Sequence, residues 1–195
     1  MEKAVATKKP LVTTFELTLI AIFGAATCII APMSIPIGPV PISMSVFIAI
    51  LCGALLTPKA AFFSQLVRII LGAVGVPVWA GFQGGAQYLV GPLAGYVIAT
   101  PFMALGVALV AGWCAKNKDK PRMVKLVALF ASGVAVLAFD YLLGTVWFCV
   151  VTGTGFIAAL AVCVVPFIVL DLLKILAVTL IWGAVGMRLR RQFNY

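Results

Sequence analysis

From residue 15 onward the chain alternates long apolar runs with short stretches rich in proline and glycine. Polar positions inside the runs are few and show no period-two alternation, which predicts helices rather than strands. A first helix over 15–31 is long enough to cross a bilayer. Residues 32–44 (PMSIPIGPVPISM) follow, with Pro32, Pro36, Pro39 and Pro41. Each proline removes an amide donor and clashes with the preceding turn, so this stretch is apolar yet not helical. Such backbone is tolerated only where protein or the membrane surface covers it, and a lid over a cavity is a role that fits. Helices are predicted over 46–56 and 60–74, joined by a turn at Thr57-Pro58-Lys59. A second irregular stretch, 75–92, precedes a fourth helix over 93–114. A fifth is predicted over 124–145. Residues 147–165, broken by Gly153 and Gly155, read as an outer loop with a short apolar helix. Pro166 then suits the first turn of a sixth helix, where its missing amide is harmless; this helix ends near Met187.

Composition turns this pattern into a membrane protein. The chain of 195 residues is 64% hydrophobic and 10% charged, with a mean hydropathy of +1.22. A soluble domain carries roughly 25% charged residues. The expected fold is therefore an all-α integral membrane bundle of six transmembrane helices, residues 1–195 forming a single membrane domain. The net charge of +9 is concentrated in three places: Lys3, Lys8 and Lys9; Lys116, Lys118, Lys120, Arg122 and Lys125; and Arg188, Arg190 and Arg191. With six spans, all three clusters fall on one side. The positive-inside rule makes that side cytoplasmic, with residues 1–12 and 188–195 as basic tails. The same placement argues against nucleic acid, which calls for bases and aromatics interleaved on one folded surface. A cleaved signal peptide is not expected, because Glu16 interrupts the start and Ala26-Thr27-Cys28 lacks the small residue that lipoprotein cleavage needs before cysteine. The five cysteines are scattered without a C-x-x-C pair and there is no histidine, so neither a disulfide nor a metal site is expected.

Apart from Glu16 and Lys125 at helix ends, only Arg68, Asp140, Asp171 and Lys174 are charged residues inside the predicted spans. At 1.5 Å per residue they lie about 10, 8, 8 and 12 Å from the outer ends of their helices. Asp171 and Lys174, three apart, share a helix face. A charge in hydrocarbon costs about 2.5–3.5 kcal/mol even on a lenient scale. The four must form two neutral pairs that hold the bundle, or line a polar cavity beneath the irregular outer stretches; the cavity is the reading adopted.

Those irregular stretches resemble the BioY family, the biotin-specific S components of energy-coupling factor (ECF) transporters. The resemblance rests on PIGPVPISM, on GAVGVPVWAGFQGGAQYLVGPLAGY, on 141–147 (YLLGTVW) and on 166–174 (PFIVLDLLK), in order and at the family's spacing after Ala21. It implies a multi-pass protein of the bacterial cytoplasmic (inner) membrane that binds biotin near the outer surface. It implies no cofactor and no enzymatic activity; its partners are a transmembrane coupling (T) subunit and ABC-type ATPase subunits. The first outer loop, with Pro39 and Pro41, is implied to cover the ligand. By position, Asp171 and Lys174 match the family's polar pair, Gln83 with Gly84 and Gly85 its loop contact, and Tyr96 the close of its GP-x-x-GY element. The chemistry agrees. Asp171 can accept from ureido N–H groups, Lys174 or Arg68 can neutralise a carboxylate, and Gln83 can do both jobs of an amide. Asp140 adds a further carboxylate. Trp79, Tyr141 and Trp147 offer flat apolar walls or, equally, anchors at the membrane interface.

The chain departs from the family pattern at Val169 and Leu170, where Pro-Gly is usual, at Leu93 and Ala94, and at Arg68. Ala21 and Ala25 form an A-x-x-x-A step that permits close helix approach. In the family this step is implied in docking to the coupling subunit; packing inside the bundle is the alternative. No G-x-x-x-x-G-K-[ST] occurs, so any ATPase must be a separate chain. Residues 153–158 imitate a dinucleotide fingerprint without the βαβ unit it requires. Two other classes stay open at this point. One is a stand-alone secondary transporter. The other is an intramembrane aspartyl protease using Asp140 and Asp171, although the Gly-x-Gly-Asp expected at the second carboxylate is lacking.

Overall fold

The computed structural model describes residues 13–36, 40–117 and 119–186. Pro39, both basic tails and Lys118 lie outside the described residues. The first helix, α1 (Thr14–Ile30), starts with a capping box: the Glu16 amide donates to Thr13 Oγ1 at 3.2 Å, and the Thr13 amide donates to the Glu16 carboxylate at 3.0 Å. The proline-rich stretch that follows holds a small antiparallel hairpin, β1 (Ser34–Ile35) and β2 (Ile42–Ser43), with Ser34 opposite Ser43 and Ile35 opposite Ile42. Its prolines exclude helix, as expected, and the non-proline positions pair.

Helix α2 (Ser45–Leu55) leads to α3 (Pro58–Val74). The latter begins two residues earlier than the sequence suggests, because Thr57 caps it and Pro58 takes the first helical position. The Thr57 hydroxyl also donates to Glu16 Oε1 at 3.2 Å, so one carboxylate joins the starts of α1 and α3. After α3 the chain forms a loop around Trp79, closed by a 3₁₀ turn at Ala86–Leu89. Helices α4 (Ala94–Lys116), α5 (Arg122–Thr152), α6 (Phe156–Cys163) and α7 (Ile168–Ile181) complete the chain, and a π-helical turn, Trp182–Gly186, extends α7.

Two boundaries correct the sequence reading. Helix α5 does not stop at residue 145; it continues through Trp147 to Thr152 and ends on Gly153 in the left-handed conformation, φ +70°. No glycine or proline interrupts 145–152, so nothing breaks the helix before the residue best able to cap it. Pro166 does not begin the last helix. It sits in a tight turn over 164–167, and α7 starts at Ile168.

Among the described residues three helical segments are long and apolar enough to cross a membrane, Ala94–Lys116, Arg122–Thr152 and Ile168–Gly186; Thr14–Ile30 and Ser45–Leu55 are shorter apolar helices. Helix α4 is central, packed against α5, α2 and α3, while α1 lies on α3, and α7 on α2 and α5. Ile50, Met103, Val107, Leu129, Ile175 and Trp182 form the largest buried cluster.

The 75–92 loop is built on one tryptophan. Trp79 is fully buried and stacks on Tyr88 with ring centroids 5.3 Å apart. Its indole donates to the Gly85 carbonyl at 3.2 Å, and its amide to the Gln83 carbonyl at 2.9 Å. The ring occupies the space that a side chain at position 72 would need. Gly72→Val is therefore expected to destabilise the protein by about 1–3 kcal/mol through overpacking. A thermal shift in detergent measures this; an unchanged midpoint would mean the loop does not depend on the indole's seat.

Candidate functional site

The hairpin end of the bundle encloses a cavity between β2, the start of α2, and helices α3, α4, α5 and α7, with Cys163 of α6 at its wall. Its empty volume, counting the open mouth, is about 690 Å³. Arg68, Asp140, Asp171 and Lys174 all line it, and Pro41, Tyr96 and Tyr141 join them.

Three helices bring these charges together, but not by the depths inferred from helix ends. Asp140 lies twelve residues before Thr152, about 18 Å along α5 rather than 8 Å. The helix simply extends past the cavity. Asp171 is three residues into α7, about 5 Å from its start.

Two of the four charges are paired. Lys174 Nζ donates to Asp171 Oδ1 at 2.8 Å, an ion pair within one helix. The other Asp171 oxygen accepts from the Tyr141 hydroxyl at 2.7 Å. Lys174 also donates to the Ser43 carbonyl at 2.7 Å, fastening β2 to α7. The second pair required by the bundle-stapling alternative is not formed. Arg68 is 1% exposed; it donates through Nη2 to Thr100 Oγ1 at 3.1 Å, while its Nε has no partner. The guanidinium carbon lies 5.7 Å from the centroid of the Trp79 ring. Asp140 is 3% exposed and its Oδ1 has no partner. Arg68 and Asp140 thus line the cavity with polar groups that the protein leaves partly unmatched, a setting suited to a polar guest.

The remaining site candidates divide. Tyr96 faces the cavity with its hydroxyl 3.1 Å from Thr145 Oγ1, and Gly144 leaves room for its ring. Pro41 is on the lining. Trp79 stands behind Arg68 rather than on the cavity surface. Trp147 donates to the Gly91 carbonyl at 2.9 Å, tying α5 to the loop. Gln83 is exposed and serves the loop through its carbonyl; like Gly84 and Gly85, it does not line the cavity. Sequence reasoning missed Thr100 and Ser43. Thr100 is four residues after Tyr96, so helical spacing could have found it. Ser43 acts through its backbone carbonyl, which no side-chain pattern reveals.

Ala21 and Ala25 are exposed, whereas Ile20, Gly24 and Thr27 carry the packed face of α1. The small step therefore points away from the bundle. Among the described residues no disulfide is formed, and no group of three His, Cys, Asp or Glu gathers.

The model of the BioY family matches residues 2–191. The chain belongs to the BioY family. A "Probable biotin transporter BioY" of Pyrococcus horikoshii is 39% identical over 159 residues, covering 82% of this chain and 88% of that protein. The "Biotin transporter BioY" of Thermotoga maritima is 37% identical over 166 residues, covering 85% and 92%. A crystal structure of the S-component for biotin from an ECF-type ABC transporter superposes with a TM-score of 0.74 at 28% identity, covering 91% of this chain and 92% of that one. BioY proteins are transporter components, so this BioY chain is a multi-pass membrane protein and not an enzyme. Family membership closes the aspartyl-protease reading.

Proposed function

We propose that this BioY chain binds biotin with high affinity in the cavity at its hairpin end and delivers it across the bacterial cytoplasmic membrane. The hairpin end faces outward and both termini lie in the cytoplasm, with six spans between them. A transmembrane coupling subunit docks on the Ala21/Ala25 face of α1, and ABC-type ATPase subunits drive the cycle. The observation that carries this reading is the convergence of Arg68, Asp140, Asp171 and Lys174 on one open-mouthed cavity at the proline-bearing hairpin. Charges placed for bundle stability alone would pair off, since an unpaired buried charge costs far more than a pair contributes.

Biotin supplies what the lining lacks. Its ureido ring has two N–H donors and a carbonyl, its thiophane ring is apolar, and its tail is an anion. Asp171 and Asp140 accept from N–H groups, Arg68 or Lys174 meets the carboxylate, and Tyr96 and Tyr141 provide flat walls. Gln83, Gly84 and Gly85 reach the ligand through closure of the loop that Trp79 organises. Pro39 and Pro41 belong to the lid.

Radiolabelled biotin added to the purified chain is expected to bind with a Kd on the order of nanomolar, about −12 kcal/mol. Calorimetry without biotin heat, together with no retention of label, would exclude the proposal.

A further inference from the structure

Resting on the biotin reading above, we infer that Arg68, and not Lys174, receives the carboxylate of the ligand, and that Arg68 thereby sets a preference for the free acid over its neutral derivatives. Lys174 is already committed. Its ammonium donates to Asp171 Oδ1 and to the Ser43 carbonyl, and the Asp171 charge balances its own. The second Asp171 oxygen is occupied by Tyr141. Lysine, carboxylate, phenol and hairpin carbonyl form a connected set that holds β2 against α7 and already balances the lysine charge.

Arg68 is in the opposite condition. It lines the same cavity, is 1% exposed, and has no carboxylate within ion-pair distance among the described residues. One nitrogen donates to Thr100, the Trp79 face lies 5.7 Å away, and Nε has no partner. A guanidinium offers five donors in a planar fork that matches a carboxylate, and here most of the fork is unused. An anion is the group that such a site lacks, and biotin carries one anion. The complementary orphan, Asp140 Oδ1, suits a ligand N–H on the same lining. The competing role for Arg68 is to balance Asp140 across the cavity without touching ligand.

Displacement of radiolabelled biotin by biotin carboxamide and by the methyl ester separates these roles. The unaltered protein is expected to favour the free acid by about 100-fold, the scale of losing one partner of a buried charge pair. Arg68→Met should weaken the acid alone and bring acid and amide within about threefold of each other. Lys174→Ala should weaken both alike, because it loosens the hairpin and not the anion contact. An acid preference absent from the unaltered protein, or intact in Arg68→Met, overturns the inference. So does a preference erased by Lys174→Ala. Restoration of the preference when Asp140→Asn is added to Arg68→Met would assign Arg68 to charge balance and likewise overturn it. If Arg68→Met does not fold, Arg68→Lys decides. A reduced acid preference with unchanged amide affinity supports the assignment, and equal weakening of both ligands overturns it. Failure of the unaltered chain to bind any of the three compounds is a separate result and sinks the biotin reading itself.

Discussion

Lys174→Ala and Asp171→Asn are each expected to weaken biotin binding by about 2–5 kcal/mol, because each leaves its partner buried without compensation. Removing the ammonium strands a carboxylate that is 5% exposed, with only the Tyr141 hydroxyl to hold it. It also releases the Ser43 carbonyl, so the hairpin loses its tie to α7. Removing the Asp171 charge strands the ammonium and weakens what Tyr141 donates to. Both losses pass through one contact, so the double variant should cost clearly less than the sum of the singles. Calorimetry on the purified variants, with thermal midpoints alongside to exclude unfolding, measures each corner of the cycle. Two single variants with unaltered affinity would remove this pair from the site.

Ala21→Trp combined with Ala25→Trp is expected to abolish uptake while biotin affinity changes by less than about 0.5 kcal/mol, the usual range for surface substitutions. The two alanines lie on the exposed face of α1, away from the cavity and from the packed residues Ile20, Gly24 and Thr27. Two indoles there leave the core intact but prevent the close helix approach that small residues allow. Uptake of label by cells supplying the coupling module gives the transport reading, and detergent binding gives the control. Normal uptake by the double variant would free this face for lipid alone. It would also favour transport by the chain on its own.

Much of the bundle is legible from residue order, because breakers punctuate it. Prolines at 32, 36 and 41 exclude helix, and Thr57-Pro58 announces α3. The misreadings fall where a breaker is weak or misplaced. Residues 145–152 contain no glycine or proline, and helix persists through them to Gly153. Pro166 resembles a helix start yet occupies the turn before one.

The charges of the site are visible for a similar reason. Four ionisable residues in an apolar chain need a shared solution, and their meeting place follows from that need. Their partners do not. Whether Arg68 meets Asp140 or Thr100 depends on helix rotation, and the Ser43 carbonyl has no side-chain signature. Gln83 shows the same limit in reverse. Its amide is suited to a ligand, but the turn around Trp79 presents its backbone carbonyl to the protein and its side chain outward.

The shared carboxylate of Glu16 has a mechanical consequence. It clasps the Thr57 hydroxyl at the foot of α3 while capping its own helix, and farther along Gln65 Nε2 donates to Thr27 Oγ1 at 3.2 Å. The two helices are thus riveted at two heights. A push on the outer flank of α1 is passed in part through these contacts to α3, the helix that carries Arg68. Torque applied from the lipid side would therefore arrive at the guanidinium as a change of position.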